Sequence, residues 1–144
     1  MGGDPEPRYA PCMSLGLRPN LPSAPRVVIV DADRRVMQSL ADLLGVTGEV
    51  AVVGGAGDVR SALELVDQSR PDVVLVDPRL PDVEAGVALI AGLSRAWPSM
   101  RIVMTGWSDT EGHLLLGVNS TTYVSKSASP EEFAAAIVDA CSVA

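Results

Sequence analysis

From Arg26 onward, short apolar runs alternate with segments in which apolar positions return every three or four residues. This alternation predicts strands and helices in turn, the pattern of βαβ units and a parallel sheet. Five strands are expected, Val27 to Val30, Val50 to Gly54, Asp72 to Asp77, Arg101 to Thr105 and Thr121 to Ser125. Each is rich in β-branched residues and bounded by turn or cap residues.

The helices follow from the same periodicity. Val36, Leu40, Leu43 and Leu44 share one face, and Gly45 supplies a stop. Asp58 caps a second helix that sets Val59, Ala62, Leu63 and Val66 on one side. A third is expected from about Val87 to Trp97, closed by Pro98, with Trp97 packing. The segment from Asp109 to Ser120 predicts a short fourth helix, because Gly112, Gly117 and Asn119 weaken it. In the last, Ser129-Pro130-Glu131-Glu132 combines a cap, a proline suited to the first turn and a capping-box glutamate.

Composition narrows the class. The 144 residues are 47% hydrophobic but only 3% aromatic, so Val, Leu, Ile and Ala must build one core, which suits a sheet covered on both faces. Residues 1–25 hold six prolines and no periodicity, and read as a disordered Pro-rich leader before a single domain, 26–144. The leader lacks the apolar core of a signal peptide, and no stretch reaches transmembrane length, so a cytoplasmic protein without membrane attachment is expected. A net charge of −7 without a basic cluster argues against direct nucleic-acid binding. Cys12 and Cys141 show neither metal-ligand nor redox spacing and read as reduced thiols.

Candidate chemistry collects where strands end. In an open parallel sheet the loops leaving the carboxyl ends meet along one edge. Here the first strand ends in Asp31 and Asp33, the third in Asp77, the fourth in Thr105 and the fifth in Lys126. Carboxylates, a hydroxyl and an ammonium on one edge suit a hard cation and a phosphoryl group. Magnesium needs only one or two carboxylates and a carbonyl beside its waters, and Asp31 and Asp77 can supply the carboxylates. Asp77 can attack phosphorus if a metal and Lys126 offset the charge repulsion, and Thr105 can donate to a phosphoryl oxygen.

The segments VVIVDADRRVMQSLADLL, PDVVLVDPRLPD, VMTG and TTYVSKSASPEEF together resemble the receiver domains of two-component response regulators over Arg26 to Ala144. The resemblance implies a doubly wound, flavodoxin-like α/β fold with a five-stranded parallel sheet of order 2-1-3-4-5 and five helices. It implies Asp77 as phosphoacceptor, Thr105, Tyr123 and Lys126 as phosphoryl-binding and switch residues, and a non-enzymatic signalling role. Magnesium would be held by Asp31, Asp77 and the backbone carbonyl of Arg79, with Asp33 as a further candidate. Implied partners are a sensor histidine kinase, a downstream protein or output domain bound through the fourth helix, fifth strand and fifth helix, and a second copy in a homodimer. The stretch after Lys126 is most similar to the branch often joined to a helix-turn-helix output domain, of which these residues contain none.

Three positions depart from the pattern. Ala32 stands where the family usually has a second metal-contacting acid. The loop LPDVEAG has one residue more than usual before the glycine expected to start the third helix. Ser127 replaces a frequent proline, so no cis-proline turn is expected there.

Each candidate also has a plainer structural role. Asp77 and Asp33 suit turns or caps, Lys126 a solvated surface, Thr105 a strand and Tyr123 packing, while Trp107 either lids the site or faces a partner. His113 has no partner spacing for catalysis. The functional alternative is a pseudo-receiver, a protein-interaction module independent of phosphorylation. A small-molecule enzyme is disfavoured, because no glycine-rich phosphate loop follows the first strand.

Overall fold

In the structure, a computed structural model describing residues 24–107 and 122–142, the expected parallel sheet forms. Its strands are β1 (Arg26–Val30), β2 (Ala51–Ala56), β3 (Val73–Val76), β4 (Arg101–Gly106) and β5 (Thr122–Ser125). They lie in the order β2-β1-β3-β4-β5, all parallel. Among the described residues there are four helices rather than five, α1 (Arg34–Thr47), α2 (Val59–Ser69), α3 (Val83–Ala96) and α4 (Pro130–Ser142). The expected fourth helix, Asp109 to Ser120, lies outside the described residues, as do His113, Cys12 and most of the leader.

Strand alternation divides the core in two. Val27, Ile29, Val73, Leu75, Val103 and Val124 pack with Leu40 and Leu44 of α1 and Phe133, Ala134 and Ile137 of α4. Val28, Val30, Val74, Val76, Ile102 and Met104 pack on the other face with Ala62 and Val66 of α2 and Leu89, Ile90 and Leu93 of α3. The interior strands read as continuous apolar runs because both faces are covered. Burying one such aliphatic side chain contributes about 1.5–3 kcal/mol.

Four local expectations change. Helix α1 runs through Gly45, and the stop is Gly48, whose positive φ of 70° and N–H to the Gly45 carbonyl make the left-handed cap. Leu43 and Leu63, assigned to apolar faces, are exposed, since the helices bury narrower stripes centred on Leu40–Leu44 and Ala62–Val66. Strand β2 is displaced to Ala51–Ala56 because an extra residue, Val53, interrupts its pairing between Val27↔Val52 and Val28↔Gly54. Helix α3 starts at Val83, a turn before Val87, because Asp82 accepts from the Ala85 N–H at 2.9 Å and acts as N-cap.

That earlier start puts Gly86 inside the helix rather than at its head. A Cβ there would collide with the Pro78 carbonyl oxygen, so glycine is required by a close backbone approach. The contact locks α3 against the loop that leaves β3. The same loop contains a cis Leu80–Pro81 peptide.

Caps read from the sequence form as expected at the other two helices. Asp58 accepts from Ser61 N–H at 2.8 Å. Its carboxyl is held below the ordinary aspartate value chiefly by that backbone hydrogen bond. Ser129 and Glu132 bond each other's backbone N–H reciprocally, at 3.1 and 2.8 Å, which starts α4 just after Lys126.

Candidate functional site

Register brings the strand ends level. Val30 pairs with Val76, Val76 with Met104, and Met104 with Tyr123, so the residues that follow the first three emerge side by side. These are Asp31, Asp77 and Thr105. The ladder continues past the strands, with Asp77 N–H bonding the Val30 carbonyl at 2.9 Å and Lys126 N–H bonding the Gly106 carbonyl at 2.8 Å. The loop after β5 thus returns Lys126 to the same edge.

All three strand-end residues are buried, Asp31 at 3% exposure, Asp77 at 7% and Thr105 at 1%. Lys126 Nζ lies 2.5 Å from Asp77 Oδ2 and 2.6 Å from Asp31 Oδ2, with only 3% of its side chain exposed. The contact to Asp77 has hydrogen-bond geometry, whereas Asp31 Oδ2 sits close to the ammonium without it. The second oxygen of each carboxylate is bound locally. Asp31 Oδ1 accepts from Asp33 N–H at 2.8 Å, and Asp77 Oδ1 from Arg79 N–H at 2.9 Å.

Burial is the largest single influence on the Lys126 ammonium and favours its neutral form. The close contacts and charges of Asp31 and Asp77 together outweigh it, so its pKa is raised above the ordinary lysine value and the group stays charged. Among the described residues the buried Thr105 hydroxyl has no hydrogen-bond partner. An unpartnered buried hydroxyl is costly, and its persistence at a strand end beside three charged groups suits an incoming oxygen.

The other predicted residues are placed differently. Asp33 Oδ1 accepts from Arg35 and Val36 N–H at the start of α1, so this carboxylate caps the helix. Tyr123 is half-buried on the α2/α3 side of the sheet, opposite in strand alternation to Val124. Arg79 is exposed in the loop after Asp77. Ala32 is exposed and offers no ligating side chain.

For a magnesium ion the fit is partial but chemically coherent. Two carboxylates and a carbonyl such as that of Arg79 meet the small protein share of its coordination, and Asp31 Oδ2 is a buried oxygen without a hydrogen bond. Among the described residues no group of three or more His, Cys, Asp or Glu side chains is assembled for a metal.

The sequence left Trp107 between a lid over the site and a partner surface, and it scarcely showed the close approach at Gly86. The Trp107 ring, 64% exposed, lies with its centroid 5.5 Å from Lys126 Nζ. Its position two residues after Thr105, just past the end of the strand next to β5, was the available signal. The Gly86 approach to Pro78 was foreshadowed only by a glycine within an apolar helical stripe.

Comparison with known proteins agrees with this geometry. The Response regulator receiver domain family is matched over residues 27–138. The chain is 36% identical over 116 residues to the "DNA-binding transcriptional activator DevR/DosR" of Mycobacterium tuberculosis, covering 79% of this chain and 53% of that protein. It is 29% identical over 114 residues to an uncharacterized transcriptional regulatory protein, YxjL, of Bacillus subtilis, covering 78% of this chain and 52% of that protein. It therefore spans about half the length of these curated relatives. Among solved structures, it resembles the signal receiver domain of the putative response regulator NarL from Mycobacterium tuberculosis, with a TM-score of 0.72 and 26% identity. That match covers 85% of this chain and 100% of the other. The response regulator domain of Thermotoga maritima CheB has the same fold, with a TM-score of 0.72 and 22% identity over 84% of this chain and 98% of that one.

Proposed function

The chain belongs to the response regulator receiver domain family of two-component signalling, and we propose that its Asp77 accepts a phosphoryl group from the phosphohistidine of a sensor kinase. One observation carries this reading. A single buried ammonium, Lys126, spans the carboxylates of Asp31 and Asp77, with an unpartnered buried hydroxyl, Thr105, on the adjoining strand end.

In the transfer, a carboxylate oxygen of Asp77 attacks phosphorus, the phosphorus–nitrogen bond of the donor breaks, and the imidazole leaves with the bonding pair. Lys126 supplies positive charge beside the phosphoryl group, and Thr105 donates its hydroxyl hydrogen to a phosphoryl oxygen. Magnesium, when held by Asp31, Asp77 and the Arg79 carbonyl, supplies further neutralisation of phosphoryl charge. Asp33 remains the cap of α1.

The outcome is a change in population between two arrangements of the face that includes β5 and α4, read by a downstream protein, an output domain or a second copy. Thr105 and Tyr123 are the residues that bias it. Relatives matched over about half their length are transcriptional regulators, which supports an output through a regulatory partner or output domain. A cytoplasmic setting agrees with the absence, among the described residues, of a helix long and apolar enough to cross a membrane.

Ala32 favours a second reading, a pseudo-receiver that keeps the fold and partner face without efficient phosphorylation. Incubation with magnesium and acetyl phosphate, read by intact mass, separates the two. The first reading expects an adduct of one phosphoryl group that Asp77→Asn abolishes. No adduct in the wild type, with a stable one after Ala32→Asp, supports the second.

A further inference from the structure

We infer that Trp107 is a positioning residue that holds Lys126 between Asp31 and Asp77 and thereby lowers the site's affinity for a divalent cation. The inference rests on the reading of Asp31 and Asp77 as the cation-holding pair.

All four oxygens of the two carboxylates are engaged. Each Oδ1 is tied to a backbone N–H two residues further along, of Asp33 and of Arg79. Each Oδ2 faces the same ammonium, at 2.6 and 2.5 Å. A metal ion entering between the two aspartates must therefore move Lys126 from at least one oxygen. Ala32 supplies no third carboxylate that would receive the ion without this displacement.

Trp107 adds to the cost of that movement. Its ring centroid lies 5.5 Å from Nζ, within the range over which the negative face of an indole attracts a cation. Lys126 is almost wholly enclosed while the tryptophan beside it is 64% exposed, so this large side chain stays at the surface as a cover instead of entering either core. Two carboxylates and one indole face thus surround the ammonium.

The test is a titration with magnesium chloride alone, followed by calorimetry on the full chain and without any phosphodonor. Trp107→Leu should tighten magnesium binding by about two- to fivefold, the scale of an exposed cation–π contact. Trp107→Phe, which keeps a ring, should stay within about twofold of the wild type. Lys126→Met should bind more tightly still, and adding Trp107→Leu to it should change nothing. Lys126→Gln carries the same leg if thermal melts show the methionine variant unfolded.

An unchanged or weakened affinity in Trp107→Leu overturns the inference. So does an equal gain when Lys126 is already absent, which would mean that the ring merely obstructs the ion. Absence of binding in every variant, those at Lys126 included, also overturns it, because the lysine would then not be what excludes the metal. Since no phosphate is present, failure of Asp77 to accept phosphate leaves this result standing by itself.

Discussion

Val27, Ile29, Val73, Leu75, Val103 and Val124 lie buried beneath α1 and α4, and the residues that continue their alternation, Asp31, Asp77, Thr105 and Lys126, are enclosed as well. In the middle of the sheet, removal from water is the stabilising force. At the carboxyl edge the same removal is a cost, offset only where each charge finds an opposite one. One sheet therefore carries a region stabilised by burial beside one held together by mutual compensation. The second can exchange its partners for a ligand, which the first cannot.

Gly86→Ala should have the largest effect and cut across both regions. Its Cβ would overlap the Pro78 carbonyl, forcing α3 away from the loop that follows Asp77. A loss of more than about 4 kcal/mol in urea unfolding is expected, at the extreme of single substitutions.

The next pair of substitutions sharpens the contrast. Lys126→Met strands two buried carboxylates and should cost about 3–5 kcal/mol. Leu75→Ala opens a cavity in the interior and should cost about 2–5 kcal/mol. Magnesium should restore stability to the first beyond its effect on the wild type, because a cation replaces the lost charge and binds only the folded chain. It should give the second no more than the wild-type increment. Equal responses in the two variants would erase the distinction between the regions.

The smallest effect concerns pH. Lys126 is raised in the folded chain, so its contribution is fully present below the ordinary lysine value and is lost as pH climbs through the higher folded value. Unfolding curves across that alkaline window should fall more steeply for the wild type than for Lys126→Met. A parallel decline would show that the ammonium contributes nothing there.

The middle of the sheet was legible because alternation and β-branched runs report directly on burial. The edge was legible in a different way. Asp31, Asp77 and Thr105 are each the polar residue that interrupts an apolar run, and parallel topology brings such interruptions together. What escaped was governed by contacts distant in sequence. The first turn of α3 was hidden because Asp82 follows a proline in what reads as loop, and the insertion at Val53 was invisible because pairing partners fix strand register. Trp107 was legible as a lid over the site or a partner contact, but its place beside Lys126 depended on β4 pairing with β5.

The irregularity in β2 also bears on how the molecule behaves at high concentration. This strand is one outer edge of the sheet and presents Ala51, Val53 and Gly55 to solvent, a sequence bland enough to template a neighbouring chain. The inserted residue interrupts the regular spacing of its ladder and increases the local twist. An approaching strand would find no straight row of donors and acceptors along which to zip, so the rim guards against aggregation without a single charged side chain in β2.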